Sequence, residues 1–458
     1  MTPRPQRVHN HRLTPAVLII CYGLVVLACL TIRPLWLDEV LELIGTTSSS
    51  IRSMLLWAPI NPGGVPLGYL TQRPFVLIGG PLAFWARLPS ALFSVASCWL
   101  IVVLGRALKI SRTAILLAAA IFMILPAQFR YATEARPYSE ALCLTLLCMI
   151  AITRWANLPS RSAMLVCMLA LAAGLYTQPY MALAVCGLVA WTALWAIRRG
   201  EGWRAAIPVL CCCVSVVIFI PWYRYSSQQW DASIQRSGYP KFHWTLALGQ
   251  DAFKGISGGS ILCSVIFLLL IAIGVRFSTR TIKGMLLSSS LFVIIGALGA
   301  DSWRDYFFAS RQLLFAVPSL SILAAIGLEN TLLRRRLMGA FIAALFLAAT
   351  LTTDVRMQLN AKENWPAAAA ALAQVSRNGY CVQMAGGERG QLMLYSVFVP
   401  SLLTRSCDLP GQSKVALVSN LETQARMLST SQEELRALGF ARKKTIAVGG
   451  TTIEMEDR

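Results

Sequence analysis

The chain has 458 residues, 56% of them hydrophobic and only 14% charged, with a formal net charge of +20. That balance excludes an ordinary soluble globular protein. The 41 Lys and Arg recur as small clusters between apolar runs and form no single stripe, which points to membrane topology and away from nucleic acid.

The basic start "MTPRPQRVHNHR" precedes "LTPAVLIICYGLVVLACLTI", a run long for a signal-peptide core and followed by no small-residue cleavage site. It reads as a first span with the amino terminus in the cytoplasm. Basic clusters follow at Arg106/Lys109/Arg112, Arg154/Arg161, Arg198/Arg199/Arg204, Arg276/Arg280/Lys283 and Arg334/Arg335/Arg336. If all are cytoplasmic, two spans separate each consecutive pair. Apolar runs at 88–105, 113–130, 138–153, 162–176, 180–197, 205–222, 260–276, 284–300, 311–330 and 337–353 supply them. Each is near the ~20 residues that a helical span needs.

"PLGYLTQRPFVLIGGPLAFW" is apolar enough to be a further span, but counting it would invert every later loop. Residues 61–85 are therefore expected to lie along the outer membrane surface, within one long external loop, 34–87. The resulting expectation is a polytopic α-helical membrane domain of about 11 transmembrane helices over 1–353. Eleven acidic residues precede position 354, and only Glu201 and Glu329 fall on the cytoplasmic side. Asp38, Glu39, Glu42, Glu134, Glu140, Asp231, Asp251, Asp301 and Asp305 sit at or near outer span ends.

Beyond 353 no run is long enough to span. A helix at 364–376, strand-like "GYCVQM", "KVALVS" and "KTIAVGG", and a helix near 431–438 predict a small external α/β domain, 354–458. Eleven of the thirteen cysteines lie in apolar runs, as buried small residues. Cys381 and Cys407 lie outside them, and an oxidising periplasm would permit, without requiring, a disulfide between the two. His9, His11 and His243 form no metal-ligand pattern, and no phosphate loop or nucleophile elbow is visible.

The segments with chemical content are "LWLDEV", "NPGGVPLGYL", "RLPSAL", "QFRYATEARPYSEAL", "LYTQPY", "DSWRDYFFASRQLLFAVP" and "AKENWPAAAAAL". In order and spacing they resemble, over almost the whole chain, bacterial polytopic glycosyltransferases of the GT-C superfamily related to protein mannosyltransferases and aminoarabinose transferases. One departure is "NPGGVPLGY", which keeps Pro66 and Leu67 but lacks the His that many relatives place before them.

The resemblance implies transfer of a sugar from a polyprenyl-phosphate donor to a glycan, lipid or protein acceptor, with inversion and without a nucleotide sugar. It places the reaction at the outer face of the bacterial cytoplasmic membrane. The residues fit that chemistry. Phosphate leaves without a general acid, so one carboxylate suffices to take the acceptor proton. Adjacent residues diverge by about 100° on a helix, so Asp38 and Glu39 cannot flank one bond. Asp38 is the candidate base, and Glu39 supports it or binds a sugar hydroxyl.

Arg136 and Arg311, with Arg87 and Arg224 behind them, are the candidates to hold the donor phosphate. The competing role for each is snorkelling to lipid headgroups. Glu134 is placed to order Arg136 or to bind sugar hydroxyls. Tyr138, Tyr176, Gln178 and Tyr180 are candidate lining residues, with an interfacial aromatic belt as the tyrosines' alternative. No metal or other cofactor is expected, since a divalent ion needs several converging oxygens. The rival function is a transporter or flippase. It is disfavoured by the lack of internal repeats and of ionisable residues in mid-span.

Overall fold

The computed structural model describes residues 13–458 except 62, 238–241, 258, 306–307, 362, 387–388, 404–408, 421–422 and 424. His9, His11 and Cys407 lie outside the described residues. The helical body begins with α1 (Leu13–Cys29), α2 (Leu37–Thr46), α3 (Ile51–Trp57), α4 (Pro66–Val76) and α5 (Leu82–Ala107). α6 (Arg112–Ile124), α7 (Pro126–Ala132), α8 (Tyr138–Asn157), α9 (Arg161–Leu175), α10 (Met181–Arg198) and α11 (Gly202–Ser237) follow. α12 (Leu246–Ser257), α13 (Ile261–Phe277), α14 (Arg280–Arg304), α15 (Val317–Arg334) and α16 (Arg336–Leu359) complete it, with a 3-10 turn, Ser310–Ala316, leading into α15.

The protein is a polytopic helical membrane protein. Each of the eleven expected apolar runs falls on helix, the run 113–130 on two helices, but not all are of spanning length. Among the described residues seven helices are long and apolar enough to cross a membrane, or up to nine if the bent pairs α6–α7 and α12–α13 each count as one. α1 and α9, with 17 and 15 residues, fall short of the ~20 needed.

The expected surface helix over 61–85 divides in two. α4 is a separate helix of 11 residues, and Leu82 to Trp85 already belong to the first turn of α5. Gly79 and Gly80 between them have φ of +83° and +93°, a backbone region that residues with a Cβ avoid. Two other glycines set the tightest helix crossing. A Cβ on Gly274 of α13 would lie 1.8 Å from the Leu323 carbonyl oxygen, and one on Gly327 of α15 2.0 Å from that of Leu270. Only hydrogen at both positions lets these two backbones meet, as small-residue interfaces in membranes do.

The carboxyl-terminal unit contains α17 (Trp365–Arg377), β1 (Cys381–Met384), α18 (Arg389–Ser396), β2 (Lys414–Asn420), α19 (Ala425–Ala437), β3 (Ala441–Val448) and β4 (Thr451–Asp457). The sheet order is β1-β2-β4-β3, with β1 parallel to β2 and the other pairs antiparallel. The small α/β domain is therefore present. It contains a fourth strand, β4, that the charged "TTIEMED" hid, and it begins after α16 has run past residue 353. Cys381 is disulfide-bonded.

This domain does not hang free. Leu35, Leu37, Val40 and Leu43 from the α2 segment share one buried core with Trp365, Ala368, Leu372 and Tyr395. α2 is thus built into the junction between the helical body and the carboxyl-terminal domain.

Candidate active site

α2 puts Asp38 and Glu39 in its first turn, where the helix dipole favours negative charge. Their side chains diverge as helical geometry demands. Asp38 Oδ2 accepts a hydrogen bond from Arg311 Nη1 at 2.6 Å, and both side chains remain partly exposed. Burial alone would raise the Asp38 carboxyl. The Arg311, Arg136 and Arg130 charges outweigh it and hold the group below its ordinary value.

Glu39 turns inward. Its Oε1 accepts from Arg87 Nε at 2.7 Å and from the Ala135 amide at 2.7 Å; its Oε2 accepts from Arg87 Nη2 at 2.6 Å and from the Trp36 amide at 3.2 Å. Arg87 spends its other donors on the carbonyls of Leu30, Arg33 and Pro34, at 2.7, 2.6 and 3.1 Å. All five guanidinium hydrogens are used, and both side chains are fully buried. The pair staples α2 to α5 and to the turn at Ala135. Contrary to the expectation for Arg87, it has no donor left for phosphate; of the two roles expected for Glu39, support of Asp38 fits this geometry and binding of a sugar hydroxyl does not.

The turn between α7 and α8 carries "EARPY". Glu134 Oε1 accepts from Arg33 at 3.0 Å and Arg130 at 2.8 Å, so Glu134 orders those two arginines and not Arg136. Burial opposes its charge, but the two arginines hold the carboxyl below its ordinary value. Among the described residues its buried Oε2 has no hydrogen-bond partner. Arg136 donates to Glu42 Oε2 at 3.1 Å and to the Asp38 carbonyl at 3.3 Å, tying this turn to the side of α2. Burial lifts the Glu42 carboxyl to about 7 against the pull of Arg136, with the Asp38 charge adding to the rise. α4 packs beneath. A Cβ on Gly68 would come within 2.6 Å of Pro137, and Gln72 Nε2 donates to the carbonyls of Ala86 and Ala135.

A cavity of about 330 Å³ opens between α7, α12 and the turn before α15. Its polar wall contains Arg130, Glu134, Asp251, Lys254 and Arg311, with Trp36 at the side. Arg130 lies 5.6 Å from the Trp36 ring centroid, a cation–π distance. Of the four arginines expected at the phosphate, only Arg311 lines this space. Arg136 lies behind α2, Arg87 is sealed, and Arg224 is exposed on α11 away from the cavity.

Arg130 and Lys254 take the places that sequence reading left empty. The i,i+4 pair Arg130–Glu134 was a usable signal within "QFRYATE". Lys254 lies in "DAFKGIS", a short amphipathic helix without a motif. Tyr138 is buried against Tyr131 at 4.8 Å, with the Arg136 and Arg311 guanidiniums 5.6 and 6.0 Å from its ring. It supports both cations from below. The Tyr180 hydroxyl donates to the Asp301 carboxylate, which also accepts from Gln312 at 3.3 Å, bracing the turn that carries Arg311. Tyr176 donates to the Ile218 carbonyl at 2.9 Å and, like Gln178, does not line the cavity. Among the described residues no group of three or more His, Cys, Asp or Glu is placed to hold a metal ion.

Residues 61–225 match the family model of dolichyl-phosphate-mannose-protein mannosyltransferase. Comparison with curated proteins returns no match. Among solved structures, ArnT from Cupriavidus metallidurans in the apo state is similar with a TM-score of 0.63 at 14% identity, covering 96% of this chain and 97% of that one. The same protein bound to undecaprenyl phosphate gives 0.59 at 14% identity over 96% and 97%. The chain therefore has an ArnT-like fold and resembles the GT-C polytopic glycosyltransferases of the protein mannosyltransferase and aminoarabinose transferase group.

Proposed function

We propose that the protein is an inverting glycosyltransferase that moves a sugar from a polyprenyl-phosphate donor to an acceptor at the outer face of the cytoplasmic membrane. One observation carries this reading: an ionised carboxylate, Asp38, is bonded to an arginine, Arg311, that lines a cavity together with Arg130 and Lys254. The polyprenyl carrier is supported by the similarly folded ArnT, which has been solved with undecaprenyl phosphate.

Arg311, Arg130 and Lys254 hold the phosphate of the donor. Charge-assisted bonds from these groups stabilise the negative charge that grows on the phosphate as the glycosidic bond breaks. Glu134 keeps Arg130 in place through Oε1. Asp38 takes the proton of the acceptor as its oxygen attacks the anomeric carbon opposite the leaving phosphate, which inverts the centre. Arg311 has two roles in sequence. Before the donor binds it neutralises Asp38. Once its donors turn to phosphate, the Asp38 carboxylate becomes a better base. Glu39, Arg87 and Arg136 position α2 and touch no substrate in this scheme, and no metal takes part.

The test is transfer by purified protein in lipid nanodiscs. Sugar should move from a polyprenyl-phosphate sugar and not from a nucleotide sugar without lipid carrier. Transfer directly from the nucleotide sugar would overturn the assignment.

A further inference from the structure

"AKENWP" is the motif that the reaction scheme does not use, and it lies where the carboxyl-terminal domain meets α2. An α-helix leaves its first amide hydrogens without internal partners. α2 begins after Trp36, whose side chain caps nothing. The Leu37 amide, adjacent to Asp38, is instead satisfied from 326 residues away: Glu363 Oε2 accepts from it at 2.7 Å.

The motif holds that oxygen in place. Glu363 Oε2 also accepts from Trp365 Nε1 at 2.8 Å. Trp365 is buried, packs on the Tyr395 ring at 5.1 Å and shares its core with Leu37, Val40 and Leu43. Asn364 between them caps α17 through the Ala367 amide at 3.1 Å, and its own amide donates to the Gly449 carbonyl in the β3–β4 turn at 3.0 Å. Helix, hairpin and core of the domain therefore converge on one carboxylate, and that carboxylate ends on the turn bearing Asp38. From the other side Arg311 draws on Asp38 at 2.6 Å.

We propose that Glu363 is a positioning residue for Asp38, and that through it the carboxyl-terminal domain is part of the catalytic apparatus. The proposal rests on the reading of Asp38 as the base. Without the cap the first turn of α2 frays and Asp38 follows Arg311 out of line. A misplacement on the order of 1 Å can cost as much as about 100-fold in rate.

The experiment compares full-length wild type, Glu363→Ala, Glu363→Gln and Asp38→Asn in nanodiscs. Three quantities are read: amide hydrogen exchange over residues 36–43, affinity for undecaprenyl phosphate, and release of undecaprenyl phosphate from undecaprenyl-phosphate mannose with water as the acceptor of the mannosyl group. Glu363→Ala should speed exchange over 36–43 and slow release about tenfold, with affinity within about twofold of wild type. Glu363→Gln keeps a carbonyl acceptor, so its exchange should match wild type and its rate stay within about threefold.

Unchanged exchange in Glu363→Ala overturns the proposal, whichever sugar the enzyme uses. So does faster exchange with an unchanged rate, an equal loss in Glu363→Gln, or a parallel fall in affinity. Full activity in Asp38→Asn removes the base assignment instead, while the exchange result still decides whether Glu363 caps α2.

Discussion

Arg311 Nη1 lies 2.6 Å from Asp38 Oδ2, so one arginine both lines the cavity and neutralises the proposed base. Asp38→Asn keeps an acceptor for Arg311 but cannot take a proton. It should lower turnover by about 100- to 10,000-fold without weakening undecaprenyl phosphate affinity. Arg311→Ala should weaken that affinity and let the Asp38 carboxyl rise. The acid limb of the wild-type kcat/KM, which reports the free enzyme, should then lie below the ordinary carboxylate range, whereas that of Arg311→Ala moves upward. Donor binding and pH–rate profiles on the three proteins decide this.

The cavity wall separates the cations. Lys254→Ala and Arg130→Ala each remove charge-assisted phosphate contacts and should weaken binding of undecaprenyl phosphate by about tenfold or more. Arg224→Ala, on an exposed face away from the cavity, should bind as wild type. Equal losses at all three would mean that general positive charge, and not this cavity, attracts the lipid.

The Glu39–Arg87 pair predicts a structural failure. Removing one member of a buried, fully bonded pair leaves the other charge alone and typically costs about 3–5 kcal/mol. Arg87→Ala and Glu39→Gln should therefore lower the yield of folded protein and its melting temperature in detergent. Whatever folds should still bind undecaprenyl phosphate, since neither side chain faces the cavity.

Glu42 predicts a pH dependence. Burial lifts its carboxyl from an ordinary 4.5 to about 7, so the fold holds this proton more tightly than the unfolded chain does. Its stabilising effect is complete below about pH 4.5 and is lost as pH rises through about 7, a change of about 3 kcal/mol. Asp38 and Glu134, held below their ordinary values, stay ionised in both states above about pH 5 and add no slope there. Melting temperature should fall from pH 5 to pH 8 in the wild type and stay flatter in Glu42→Gln.

Cysteine labelling tests the orientation. A label at residue 110 should be accessible only from the cytoplasm, and labels within 66–76 and 364–458 only from outside. An outside signal at 110 would invert the expected topology.

The helical body was legible because apolar runs and basic clusters both carry period and length. Boundaries were less so. The Gly79–Gly80 turn divides what reads as one apolar stretch, and α4 needs Pro137 beneath Gly68 to show why it is a separate element. In the site, Asp38 and Arg311 were both named, but nothing in the sequence says that Arg87 meets Glu39, 48 residues earlier, inside the protein. An arginine at a span end looks alike whether it faces phosphate, a carboxylate or lipid. Lys254 escaped notice because it lies on a short helix outside every motif. The Glu363 contact with Leu37 joins residues 326 positions apart and leaves no local trace.

The bend between α6 and α7 has a consequence for the surrounding lipid. α6 has 13 residues before the chain turns by 61° at Pro126, and α9 has 15. At a rise of about 1.5 Å per residue these helices reach only about 20–22 Å, against roughly 30 Å of hydrocarbon. A helix short of that thickness is met by local thinning of the bilayer or by a continuation of the chain. For α6 the continuation is α7, which leaves the bend at 61° and borders the cavity.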